Sequence, residues 1–242
     1  MGHVTVVGGC RAKAPLTGIL ASTLPVGSTV KLMENGAAVE YLVVNQGIPS
    51  NSSLYDASCD GTWLLRKDCH SEKTWHTSNV NKYESSSINT WLNGEFFNTL
   101  GSAEQAAIKQ VKIPYRKNGG SGGTDQSGAN GLLCKIFLLS GYEMGWTTNN
   151  QFFPQDGAKL SYFESGTGTS ANNKRIANYG GSAAFWWLRS PYTDNTNGVW
   201  LVRSNGNYGL NGASGSSGIR PALVLPSNAL FDETTMLLKG VA

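Results

Sequence analysis

The stretch 202–221, VRSNGNYGLNGASGSSGIRP, comes shortly after the most apolar and aromatic run of the chain, 183–191 AAFWWLRSP, and leads straight into an apolar strand, 221–225 PALVL. Its composition alone would suit a disordered tail. Its position does not, because core-like sequence fences it on both sides; the ends are held and the middle faces outward. In 198–206, GVWLVRSNG, alternation sets Trp200, Val202 and Ser204 on one face and Val199, Leu201, Arg203 and Asn205 on the other. Burying Trp200 and Val202 then presents Leu201, Arg203 and Asn205 to solvent. Trp186 and Trp187 lie inside an apolar run and read as core rather than as a sugar-stacking platform. Arg189 and Arg220 read as forks beneath the surface that bond loop carbonyls or a carboxylate.

Upstream, 28–44 STVKLMENGAAVEYLVV carries Asn35-Gly36 between two apolar runs, the strongest short hairpin signal, and 61–68 GTWLLRKD reads as a third strand. Two short helices are expected. In 85–94 SSSINTWLNG, Ile88, Trp91 and Leu92 share a face, serines cap the start and Gly94 stops it. In 100–111 LGSAEQAAIKQV, Ser102 and Gln105 have capping-box spacing, Ile108 and Val111 continue the helix, and Pro114 ends the run. The segment 132–140 LLCKIFLLS reads as one buried strand, and 116–131 RKNGGSGGTDQSGANG as a surface loop, since it lacks the Gly-Lys-Ser/Thr ending of a phosphate loop.

The chain has 242 residues, 40% of them hydrophobic with seven tryptophans, enough for a substantial core. Charged residues are only 14% and glycines number 30, which favours a loop-rich fold with a neutral polar surface. The net charge of +3 is scattered, so nucleic acid is not an expected partner. No run approaches the roughly 18 apolar residues of a membrane span, so membrane insertion is not expected. No signal peptide is visible.

Motifs for catalysis are sparse. Cys10, Cys59, Cys69 and Cys134 match no paired zinc spacing; they read as buried small hydrophobes, with a Cys59–Cys69 disulfide as the rival. His3, His70 and His76 with Cys69 give neither a metal set nor a supported nucleophile pair. The 194–198 DNTNG stretch lacks the ligand pattern of a calcium loop. Glu143, Asp156 and Glu164 lie among loop aromatics, including Trp146 and Phe152, and are the carboxylates a glycan-processing site would use. No metal or cofactor is expected.

The run 185–191 FWWLRSP, then Val199-Trp200, Val202, Ser204 and Gly206, then 218–223 GIRPAL resembles the carboxy-terminal signature of a domain of unknown function common in gut Firmicutes and their phages. The segments 24–32 LPVGSTVKL, 39–44 VEYLVV, 86–93 SSINTWLN, 136–140 IFLLS, 158–166 AKLSYFESG and 175–177 RIA agree with it. Such domains are similar to the C-type-lectin fold of formylglycine-generating enzymes and of the variable proteins of diversity-generating retroelements. The resemblance implies an α+β class: a C-type-lectin-like fold of small antiparallel sheets, two short helices and long packed loops. It places a ligand-binding domain at 24–242, with a variable region about 190–218, and leaves 1–23 as an extension or a remnant of a longer protein.

In retroelement variable proteins, adenines of template codons, many of them AAY, are replaced, which yields Asn, Asp, Ser, Gly, Tyr, His, Thr, Arg, Leu and other small or apolar types but never Lys, Glu, Gln, Met or Trp. Residues 192–218 contain no Lys, Glu, Gln or Met, and their one Trp is Trp200, already assigned to the core. The resemblance therefore implies Asp194, Asn195, Asn197, Leu201, Arg203, Asn205, Asn207, Tyr208, Leu210 and Asn211 as displayed ligand-binding residues. Trp186, Trp187, Arg189, Ser190, Pro191, Trp200, Gly218, Arg220 and Pro221 form the frame. The copper-holding late cysteines of the enzymatic cousins are missing after Cys134, as are the calcium-lectin sugar motifs. The implied function is non-enzymatic recognition of a protein or cell-surface receptor, on a phage virion tail or a bacterial surface. The alternatives are a glycan-binding or glycan-processing domain, or a structural tail or wall domain without diversification.

Overall fold

The computed structural model describes residues 16–50, 52–146 and 151–242. His3 and Cys10 lie outside the described residues, as does most of the expected 1–23 extension.

Asn35 and Gly36 both take positive φ, 48° and 78°, the turn geometry whose twist matches that of the flanking strands. They join Thr29–Glu34 to Ala37–Gln46. The expected third strand, Thr62–Arg66, pairs next with Leu65 opposite Leu42. Its Trp63, Leu64 and Leu65 are fully buried, as a continuous apolar run requires. Ala222–Leu225 pairs on its other side and Ile136–Phe137 closes this first five-stranded sheet.

The second sheet has the order Tyr208–Gly212, Gly198–Val202, Trp186–Pro191, Ser216–Gly218, Glu72–Thr74. Every residue of Trp186–Pro191 and Gly198–Val202 is buried. Neighbours are antiparallel except at Trp186, which pairs parallel with Gly218. Immediately after Gly218 the chain crosses to the first sheet, where the Arg66 N–H donates to the Pro221 carbonyl. Ile219, Ala222, Leu223 and Val224 are fully buried beyond that crossing. A third, three-stranded sheet joins Ile19–Leu20 to Ala229–Phe231 and Leu238–Val241. The fold therefore takes in residues before Leu24, where the ligand-binding domain was expected to begin.

The expected α+β class with two short helices is corrected. Among the described residues the protein is mostly β, 34% strand against 17% helix, with many small antiparallel sheets and a single helix of seven or more residues. That helix, 87–99, starts as expected, with Ser86 Oγ accepting from Asn89 N at 3.2 Å. Gly94 does not stop it. A π turn over Leu92–Phe96 carries the helix on and buries Leu92 and Phe96. The second expected helix is one turn and a half, Ser102–Ala107, capped at Gly101 rather than Ser102. It ends early because Val111 and Ile113 alternate into a strand, Val111–Ile113, paired with Leu132–Cys134. The single strand expected over 132–140 is thus two pieces, Leu132–Cys134 and Ile136–Phe137, in different sheets. The Gly-rich 116–131 loop contains a short hairpin, Tyr115–Lys117 against Thr124–Gln126. No helix of the described residues is long and apolar enough to cross a membrane.

Candidate functional site

The frame is buried and hydrogen-bonded. Trp186 and Trp187 are fully buried and Trp200 nearly so, and each indole N–H reaches a backbone carbonyl: Arg175 at 3.0 Å, Lys73 at 3.0 Å and Phe152 at 3.2 Å respectively. Each ring thus packs the core while its polar edge fixes a neighbouring segment. Arg189 uses all five donors. Its Nε donates to the Pro114 carbonyl at 3.0 Å, and Nη1 and Nη2 grip the Glu143 carboxylate at 2.6 and 2.7 Å. The remaining two donors reach the carbonyls of Leu138 and Asp156. Arg220 stacks over Trp186 at 5.0 Å and donates through Nε to the Arg66 carbonyl at 2.7 Å.

On this frame the second sheet carries an open groove of about 470 Å³. Leu201, Arg203, Leu210 and Asn211, all flagged from sequence, line it. So do Phe185, Glu72, Ser216 and Ser217, which sequence reasoning missed. Leu201 is corrected from displayed to buried. It is 4% exposed and forms the groove's floor, because Gly209 opposite it has no side chain to cover it. Phe185 and Leu210 are 49% and 44% exposed, leaving an apolar surface beside the exposed Arg203.

The other expected contact residues do different work. Asn195 Oδ1 accepts from the N–H groups of Asn197 (3.1 Å) and Gly198 (2.6 Å). Asn205 Oδ1 accepts from Asn207 N, and Asn207 Oδ1 from Tyr208 N. These asparagines satisfy turn backbone, the ordinary use of a short amide in a tight loop. Asp194, Asn197 and Asn205 are exposed at turn tips outside the groove. Tyr208 is half-buried, edge-on to Trp146 and Trp200, each at 5.7 Å.

The segment 76–81 holds these loops from below, and nothing in its sequence marks it. Asn81, fully buried, donates through Nδ2 to the carbonyls of Gly198 (2.7 Å) and Asn195 (3.1 Å) and accepts from Gly120 N at 2.9 Å. Asn79 Oδ1 accepts from Ser214 N, and His76 N donates to the Ala213 carbonyl. One buried asparagine, Asn81, and one exposed one, Asn79, among turn residues have no periodicity to announce them.

The carboxylates considered for glycan processing do not form a site. Glu143 is fully buried under Arg189, Tyr55 and Ser140 N. Asp156 is fully buried and accepts from Ser190 Oγ at 2.7 Å, while Glu164 pairs with Lys174 on the surface. None of the three lines the groove, nor a second depression of about 420 Å³ beside Tyr142 and Gln155. Burial pushes the Asp156 carboxyl up to about 7.

Cys59, Cys69 and Cys134 are free and buried, which removes the Cys59–Cys69 disulfide. Burial pushes the Cys59 and Cys69 thiols up to about 11, so neither is a poised nucleophile. His70 packs edge-on to Phe96, and burial lowers its pKa. Among the described residues no three His, Cys, Asp or Glu side chains converge as a metal site.

No curated protein and no solved structure matches the chain. Nothing in these comparisons links it to the retroelement variable proteins or formylglycine-generating enzymes that its motifs resemble. Residues 60–227, which hold the whole second sheet and three of the five strands of the first, match the profile of a domain of unknown function (DUF6273). The chain belongs to that family.

Proposed function

We propose that the protein is a non-enzymatic binding module whose second sheet displays a diversified patch to a protein or cell-surface receptor, for phage attachment or bacterial surface adhesion. One observation carries the reading: Arg203, Leu210 and Asn211, drawn from the Gly/Ser/Asn-rich segment, line an open groove floored by Leu201 above a buried frame. A rigid frame with changeable surface residues suits recognition, since ordering costs are met by the fold and affinity depends on a few anchors. Arg203 and Phe185 are the anchors here, with Asn and Ser as adaptable neighbours.

The test is genomic. Sequencing the DNA beside the gene should find a near-identical repeat of the codons for 190–221, differing only where the repeat has adenine, together with a reverse transcriptase. A locus with neither sinks the diversified-patch reading.

A further inference from the structure

The groove carries two opposite charges, Arg203 and Glu72, that have no ion-pair or side-chain hydrogen-bond partner among the described residues. They stand at different places across the sheet. Val202 pairs with Trp186, Trp186 with Gly218, and Gly218 with Glu72, so these four residues form one row. Arg203 follows the first residue of that row and Glu72 ends it. Three inter-strand spacings of about 4.8 Å separate them, roughly 14 Å, which is about four residues of extended chain. Phe185, next to Trp186, lies between the two charges and is 49% exposed.

Resting on the binding-module reading, we propose that the groove takes an extended peptide segment of a partner protein. An acidic side chain pairs with Arg203, an apolar one packs on Phe185 and Leu210, and a basic one about four residues from the acid pairs with Glu72. A guanidinium grips a carboxylate in two parallel hydrogen bonds, which sets the register as well as the affinity. A neutral glycan would hydrogen-bond to both groups without a compensating charge for either, a weaker match than an opposite charge at each. A ligand of one sign would satisfy one charge and be repelled by the other.

The full chain, ¹⁵N-labelled, is titrated with the blocked peptide Ac-Thr-Asp-Thr-Leu-Thr-Lys-Thr-NH2, with its uncharged analogue carrying Asn and Gln in place of Asp and Lys, and with maltoheptaose. The charged peptide is expected to give saturable shifts at Phe185, Arg203 and Leu210. The uncharged analogue should bind about tenfold more weakly or worse, and Arg203→Glu or Glu72→Lys should each weaken the charged peptide by about the same factor. The exchanged pair Arg203→Glu with Glu72→Arg should restore binding, because the extended peptide can lie in the opposite direction. Absent shifts, equal binding of the uncharged peptide, or saturable maltoheptaose shifts at the same residues would overturn the inference. Any of these outcomes beside a gene that has the adenine-differing repeat leaves the binding module standing; peptide binding beside a gene without the repeat removes only diversification.

Discussion

Gly209 lies against Arg203: a Cβ at position 209 would stand 2.7 Å from Arg203 Nε and 2.8 Å from Leu201 Cδ1. Both contacts are closer than real side chains tolerate, so the bare glycine is what lets Arg203 lie across its neighbouring strand. Gly209→Ala should push the guanidinium out of the groove and disturb buried Leu201. We expect a loss of about 1–2 kcal/mol in stability by denaturant unfolding, the usual cost of overpacking. Peptide affinity should fall to the level of Arg203→Glu. Unchanged affinity would mean that the position of Arg203 does not matter.

Asn81 connects the 192–198 loop to the 116–131 hairpin through four hydrogen bonds at one buried side chain, to the carbonyls of Tyr192, Asn195 and Gly198 and from Gly120 N. Asn81→Ala leaves the Gly198 and Asn195 carbonyls and the Gly120 N–H short of a partner. The expected cost is about 2–4 kcal/mol, from more than one buried group losing its bond. Limited proteolysis should then cut within 192–198 before any other site. A variant with wild-type stability would show that the clamp is idle.

The first sheet and the frame were legible in the sequence because local chemistry settles them. Asn35-Gly36 names its own turn, and Trp63 to Leu65 or Trp186 to Leu188 have little choice but burial. The helices were over-read because 100–111 satisfies a helical period while Val111 and Ile113 also satisfy a strand period, and only pairing with Leu132–Cys134 decides between them. Leu201 was misplaced for a related reason. Alternation assumes one wet face, and the Gly198–Val202 strand is buried on both. Asn81, Phe185 and Glu72 come from segments far from 202–221 in sequence, so no local pattern could join them to the groove.

Asp156 gives the protein an inverted acid response. Burial raises its carboxyl to about 7, well above the roughly 3.9 of an unfolded aspartate. Glu143 and Arg189 face it from the adjoining segments, and Ser190 donates to it. A group held protonated in the fold stabilises fully below its unfolded pKa, and that contribution is lost as pH rises through the folded value. Wild-type Tm should therefore fall between about pH 4 and about pH 7 and level off above that, while Asp156→Asn should show a flatter profile and exceed wild type at pH 8 by several degrees. Parallel Tm profiles for the two proteins would refute the shift.

Leu201 and Leu210 line the same groove yet should answer oppositely to the same substitution. Leu201 is 4% exposed and packed between Trp187 and Gly209 in the ladder, whereas Leu210 is 44% exposed on the sheet's edge strand. Leu201→Asn buries an amide with no partner in place of a packed side chain, a loss of about 3 kcal/mol or more. Leu210→Asn should stay within about 0.5 kcal/mol of wild type, as surface changes do. Unfolding of both variants in urea separates a floor residue from a displayed one. If the two lose equally little, Leu201 is free to vary and the ligand surface extends down to the strand itself; if the difference is as large as burial predicts, diversification of this groove is confined to Arg203, Leu210, Asn211 and their exposed neighbours.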